Sequence, residues 1–211
     1  MKKLILAVLA AGSVFSATAQ SKTTFGISGG VNFAKIAVSF DGSSLSASTG
    51  TLTSFSAGVF ADAPVSTNVS IQPGLYYTGK GGSVTADGET YKSKINYIQL
   101  PVNVVYNVPV SAGKFFFGAG PYAAIAVNGK NEYSGSGSSA SVSEDIEFGD
   151  NANSTYKRAD FGATGLIGFN FKNGFLVKAN YDLGLANISA DNFLGEKNKN
   201  RVFGISVGYT F

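Results

Sequence analysis

The last ten residues of the chain alternate without a break. Phe203, Ile205, Val207, Tyr209 and Phe211 fall on one side, and Val202, Gly204, Ser206, Gly208 and Thr210 on the other. A strand turns successive side chains to opposite faces, whereas a helix would scatter this pattern around its axis. The segment therefore predicts a strand with one face of large apolar groups and one of mostly small or polar groups. No stretch after residue 20 has helical periodicity over the 11–18 residues that a helix assignment needs.

The same division recurs upstream. It predicts strands over 23–34, 52–62, 68–79, 94–107, 114–128, 159–171 and 174–188, which makes eight with the last. Each is near the 9–11 residues of a tilted membrane strand. On the polar faces stand Gln72, Tyr76, Gln99, Asn103, Tyr122, Asp160, Thr164, Lys178, Asn180 and Asp182. These are the candidate interior residues. Lys178, Asp182, Asp160, Gln99 and Tyr122 are expected to share one satisfied network in preference to an ion path, because eight strands leave an interior just wide enough for side chains.

Which face meets water is settled by charge. Only 14% of the residues are charged, and the polar faces hold few of them. A water-facing surface normally carries about 25–35%. The small and polar faces must then fill the interior while the large apolar faces meet lipid. The predicted class is all-β: an eight-stranded antiparallel up-and-down transmembrane barrel. Lipid offers no partner for a free strand edge, so the first strand must pair with the last.

The connections alternate in length. Short turns are expected at Asp62–Thr67, Pro109–Gly113 and Lys172–Gly174, and long loops at 35–51, 80–93, 129–157 and 189–199. Short periplasmic turns and long extracellular loops characterise outer-membrane barrels. With an even strand count both termini lie in the periplasm. Phe25, Tyr106, Phe115, Phe169, Phe171, Phe175, Tyr209 and Phe211 would then form a girdle at the periplasmic rim.

The first nineteen residues are expected to be a signal peptide for the general secretory route, ahead of a barrel domain over 20–211. Lys2 and Lys3 precede the apolar run Leu4–Ala11, and Ala17 and Ala19 form an A-x-A cleavage site. Removing Lys2 and Lys3 from 16 basic residues leaves 14 against 13 acidic, a net of +1. That balance, with no basic stripe, gives no reason to expect nucleic acid as a partner.

Several chemistries have no residues to run on. The chain has no Cys and no His, so thiol chemistry and an ordinary imidazole base are excluded. Glu144, Asp145, Glu147 and Asp150 cluster in the longest loop, but without the spacing of a Ca²⁺ loop. They read as a solvated acidic segment. Gly118-Ala119-Gly120 lies in a strand with no helix after it, so it reads as close packing and not as a phosphate loop. No catalytic residue, metal or cofactor is expected.

Seven stretches in order resemble one family: GISGGVNF (26–33), SIQPGLYYTGKGG (70–82), YIQLPVNVVYN (97–107), GAGPYAAI (118–125), DFGATGLIGFNF (160–171), YDLGLANI (181–188) and KNRVFGISVGYTF (199–211). They are similar to outer-membrane β-barrel domains that include PorT-like and small OmpA-like barrels. The resemblance implies an integral outer-membrane barrel of a Gram-negative bacterium, with lipid as its surroundings. The aromatic end at Tyr209 and Phe211 resembles the signal read by the barrel-assembly machinery. Gly74, Gln99 and Asn180 stand where the family pattern often has charge, which implies a weakly charged interior. The expected role is a non-enzymatic scaffold whose loops meet an envelope protein or surface ligand. The alternatives are a narrow pore for small solutes or a PorT-like part of a secretion system.

Overall fold

The computed structural model describes residues 22–40, 46–135, 141–149, 154–190 and 195–211. The segment expected to be a signal peptide, with Ala17 and Ala19, and Asp150 of the acidic stretch lie outside them. Among the described residues ten strands form one sheet: β1 (Thr24–Phe40), β2 (Ser46–Ser48), β3 (Leu52–Pro64), β4 (Val69–Ala86), β5 (Glu89–Val110), β6 (Gly113–Ser134), β7 (Ser141–Asp145), β8 (Ala159–Phe171), β9 (Phe175–Gly184) and β10 (Glu196–Thr210). Eight of them, all but β2 and β7, pair antiparallel in chain order, and β10 pairs with β1 to close the ring. β2 and β7 only extend the upper parts of β1 and β6.

The wall alternates as the sequence pattern demands. On β10, Phe203, Ile205, Val207 and Tyr209 are exposed while Val202, Gly204 and Ser206 are buried. The outward series reads Phe25, Ile27, Gly29, Val31, Phe33 on β1 and Ile98, Leu100, Val102, Val104, Tyr106 on β5. Exposures such as 62% for Phe25 and 61% for Ile167 make sense only for a surface that lipid covers.

Aromatic rings mark both edges of this band. At the short-turn end Phe115, Phe169, Phe171 and Phe175 form a chain of contacts, and Tyr209 meets Phe211. A second set, not anticipated from the sequence, stands higher on the outward face. Phe33 stacks on Phe203 with centroids 6.4 Å apart, and Phe55 meets Tyr77 at 5.7 Å. Phe25 and Phe33 are eight residues apart, so at about 3.3 Å per residue and a tilt of about 40° the girdles are separated by roughly 20 Å. That is close to the apolar height of an outer-membrane barrel.

Two expectations need correction. Residues 80–93 are not a long loop: β4 and β5 run on as a ladder to Ala86 and Glu89, closed by Asp87-Gly88. Both turn residues have positive φ, 52° and 81°, the requirement of the tight hairpin turn that Asp-Gly favours. Several strands also exceed 11 residues, β5 and β6 having 22 each. The surplus rises past the upper girdle as a raised sheet of β4, β5, β6 and β7. Within β6 a bulge at Val127 shifts the register, since Tyr97 faces Ala126 whereas Asn96 faces Asn128. Below it the even residues of β6 point inward, and above it the odd ones do.

Candidate functional site

The interior is built in three layers, each placed by inward positions of the wall. Uppermost is Asp160 on β8, 1% exposed. Its Oδ2 accepts hydrogen bonds from Lys80 Nζ at 3.0 Å, Asn200 Nδ2 at 3.0 Å and Tyr122 OH at 3.3 Å. Lys80 is fully buried, with its ammonium 4.1 Å from the ring centroid of Tyr122 and 5.3 Å from that of Tyr97. Two aromatic faces and one carboxylate thus surround a cation withdrawn from water.

Below it Asp182 on β9 gathers three donors. Thr164 Oγ1 (2.6 Å) and Asn180 Nδ2 (3.3 Å) donate to Oδ1, and Gln99 Nε2 (2.9 Å) to Oδ2. Lys178 donates to Tyr76 OH at 3.1 Å and Ser28 Oγ at 3.3 Å. Between these groups lies a cavity of about 40 Å³, lined also by Gln72 and Asn103, with room for a few waters at most. The lowest layer has Val105, Phe116 and Leu166 packed together. There Lys114 pairs with Asp62 at 2.9 Å. Lys114 is one-third exposed, so this pair contributes about 0–1 kcal/mol.

A cap closes the wide end. Ile146, Ile188, Phe148 and Tyr156 pack onto Ile95, Tyr97 and Ala126 of the wall. Backbone bonds pin the cap down: Ile146 N to Gly129 O at 3.0 Å, Lys157 N to Ile188 O at 2.8 Å and Ala126 N to Arg158 O at 2.8 Å. Burial and the nearby Glu196 carboxylate push the Tyr156 hydroxyl above its ordinary range, against a hydrogen bond from Ser93 that lowers it. The hydroxyl therefore stays neutral in the cap.

The ten candidate interior residues all lie inside, but Lys178, Asp182, Asp160, Gln99 and Tyr122 do not share the single network expected of them. Asp160 and Tyr122 belong to the upper centre. Gln99, Thr164, Asn180 and Asp182 form the middle one, and Lys178 bonds hydroxyls beside it. The expectation of a weakly charged interior is corrected by the buried Lys80–Asp160 pair. Lys80 opens the 80–93 segment expected to be a loop, although its even-numbered place after Gln72, Tyr76 and Thr78 puts it on the inward face. Asn32 and Asn200 were missed as well. Both are buried, and Asn32 donates to Thr78 Oγ1 at 2.9 Å. On Gly118 and Gly120 a Cβ would collide with the carbonyls of Val104 and Val102, which explains glycine there by close packing. Glu144, Asp145 and Glu147 are exposed, and no group of three or more carboxylates among the described residues is placed to hold a metal. Tyr209 and Phe211 face outward at the short-turn rim, where Phe211 N donates to Phe25 O at 2.8 Å.

Comparison with known proteins gives one family and several outlines. A family model described as outer membrane protein beta-barrel domain matches residues 18–190. No curated protein matches the chain significantly. Among solved structures, Ail, the attachment invasion locus protein of Yersinia pestis, is 14% identical with a TM-score of 0.43, over 90% of this chain and 100% of that one. Neisserial surface protein A is 12% identical with a TM-score of 0.46, over the same shares. The N-terminal β-barrel domain of Pseudomonas aeruginosa OprF is 12% identical with a TM-score of 0.35, over 86% and 97%.

Proposed function

Since the chain belongs to the outer membrane protein β-barrel domain family and so lies in the outer membrane of a Gram-negative bacterium, we propose that it is a sealed, non-enzymatic scaffold that holds a raised extracellular sheet toward a partner. The observation that carries this reading is the filled interior beneath the cap. A solute would have to displace the Ile146–Ile188 cap and break the buried Lys80–Asp160 centre. Such a wall supports a structural role over a pore. Above it, Val84, Tyr91, Tyr133 and Val142 are mutually opposite across β4, β5, β6 and β7 and exposed by 41–67%. Two tyrosine rings flanked by valines on a rigid frame are the kind of feature that binding uses.

The test is electrical. Protein refolded and inserted into planar bilayers is expected to show no steady single-channel current. Reproducible openings at low voltage would reject the sealed scaffold in favour of a solute channel. Copurification of a fixed set of envelope proteins after mild extraction would instead favour a secretion component.

The same proposal extends to biogenesis. In this reading residues 1–19 are removed after Ala19, and Tyr209 with Phe211 is what the assembly machinery reads. The intact mass of protein purified from the membrane fraction is expected to match a chain starting at Gln20. A mass retaining Met1–Ala19 would refute the cleavage.

A further inference from the structure

The outward face changes character just above the upper girdle. Between the girdles it presents no charged side chain. Two residues beyond Phe33 and Phe203 stand Lys35 and Arg201, direct partners across the β1–β10 seam. Lys199 follows on the same face of β10. On another side of the barrel Lys94 and Lys130 are direct partners across β5 and β6, and Lys94 Nζ lies 6.0 Å from the ring centroid of Phe55.

Like charges placed directly opposite each other destabilise a sheet. Here two such pairs sit just above one girdle. The two ion pairs among the described residues, Lys80–Asp160 and Lys114–Asp62, are both turned into the barrel and neutralise nothing on this belt. The outward carboxylates nearby are Glu132, opposite Lys92, and Asp145, opposite Lys130. Both belong to the β5–β7 side. Among the described residues β1, β3, β9 and β10 place no outward carboxylate beside Lys35, Lys199 or Arg201. The guanidinium of Arg201 is also held in place, because its Nη1 donates to the carbonyls of Gly184 and Asn200.

We propose that this belt binds the phosphate groups of an outer-leaflet glycolipid, with the Lys35–Arg201 pair as its core. The apolar band below accounts for the other half of such a ligand. Acyl chains would lie on Val31, Phe33, Phe203 and Ile205 while the phosphates meet the cations directly above them. Arg presents parallel N–H donors that match a phosphate, and an anion between Lys35 and Arg201 turns their repulsion into shared attraction. The inference rests on the barrel's place in the membrane and is independent of what the raised sheet meets.

The test uses the mature protein refolded in neutral detergent, with binding followed by native mass spectrometry. The probes are bisphosphorylated lipid A, the same lipid stripped of phosphate, and inorganic phosphate. Wild type is expected to retain bisphosphorylated lipid and to bind the stripped lipid at least tenfold more weakly. Removing two charges with Lys35→Gln and Arg201→Gln together is expected to weaken binding on the order of thirty-fold. Lys172→Gln, in a turn at the opposite end, is expected to leave it unchanged. Competition by millimolar inorganic phosphate would show a simple anion site and overturn the lipid assignment. Equal binding of the two lipids, or an unaltered double variant, would overturn the proposal. Should the double variant not fold, Lys199→Gln and the two-lipid comparison on wild type decide the same question.

Discussion

Replacing Asp160 by leucine is expected to destabilise the folded barrel by about 3–5 kcal/mol, the cost of stranding a buried charge. Lys80 would keep its ammonium inside with no carboxylate, and Tyr122 and Asn200 would lose their common acceptor. The converse change, Lys80→Met, should cost a similar amount by leaving Asp160 unpaired. Both together should cost far less than the sum, because apolar groups filling the place of a buried pair are often neutral or stabilising. The reading is the urea midpoint of the refolded protein, followed by the gel shift between folded and unfolded forms. Single variants as stable as wild type, or strictly additive ones, would mean that the pair is not formed in the membrane.

The second large effect belongs to the outside. Val207→Arg places a charge midway between the girdles, four residues from both Phe203 and Phe211 and opposite Gly29 of β1. In lipid this should cost roughly 2–4 kcal/mol. If the same wall faced water, the change would be an ordinary surface substitution within about 0.5 kcal/mol. The comparison separates the two environments on one residue. A near-zero effect measured in lipid vesicles would contradict a lipid-facing wall.

Much of this was legible from alternation alone. Strand count, closure, facing and the interior positions of Gln99, Asp160 and Asp182 all follow from the period of two, because that period fixes which side of a wall each residue occupies. Where strands stop is less legible. Residues such as Ser83, Lys92 and Asn131 are polar on either face, so a strand that leaves the membrane reads like a loop. The Asp87-Gly88 pair was the available signal, and it marks a two-residue turn within a ladder. The cap was harder still. Ile146 and Ile188 are single apolar residues in polar surroundings, and only the meeting of distant segments gives them a role. Grouping within the interior also escapes sequence, since alternation says which residues point inward but not which of them meet across the lumen.

The bulge at Val127 acts as a frame shift in the facing of β6. One extra residue swaps the two sides of everything that follows it on that strand. Without it, Lys130 would turn toward the lumen, where the cap residue Ile146 packs over Gly129. Tyr133 would turn to the membrane side, away from Tyr91. A single backbone insertion therefore decides both the electrostatics of the outer rim and the apolar face of the raised sheet. A one-residue deletion there would exchange two surfaces without altering any side chain on either.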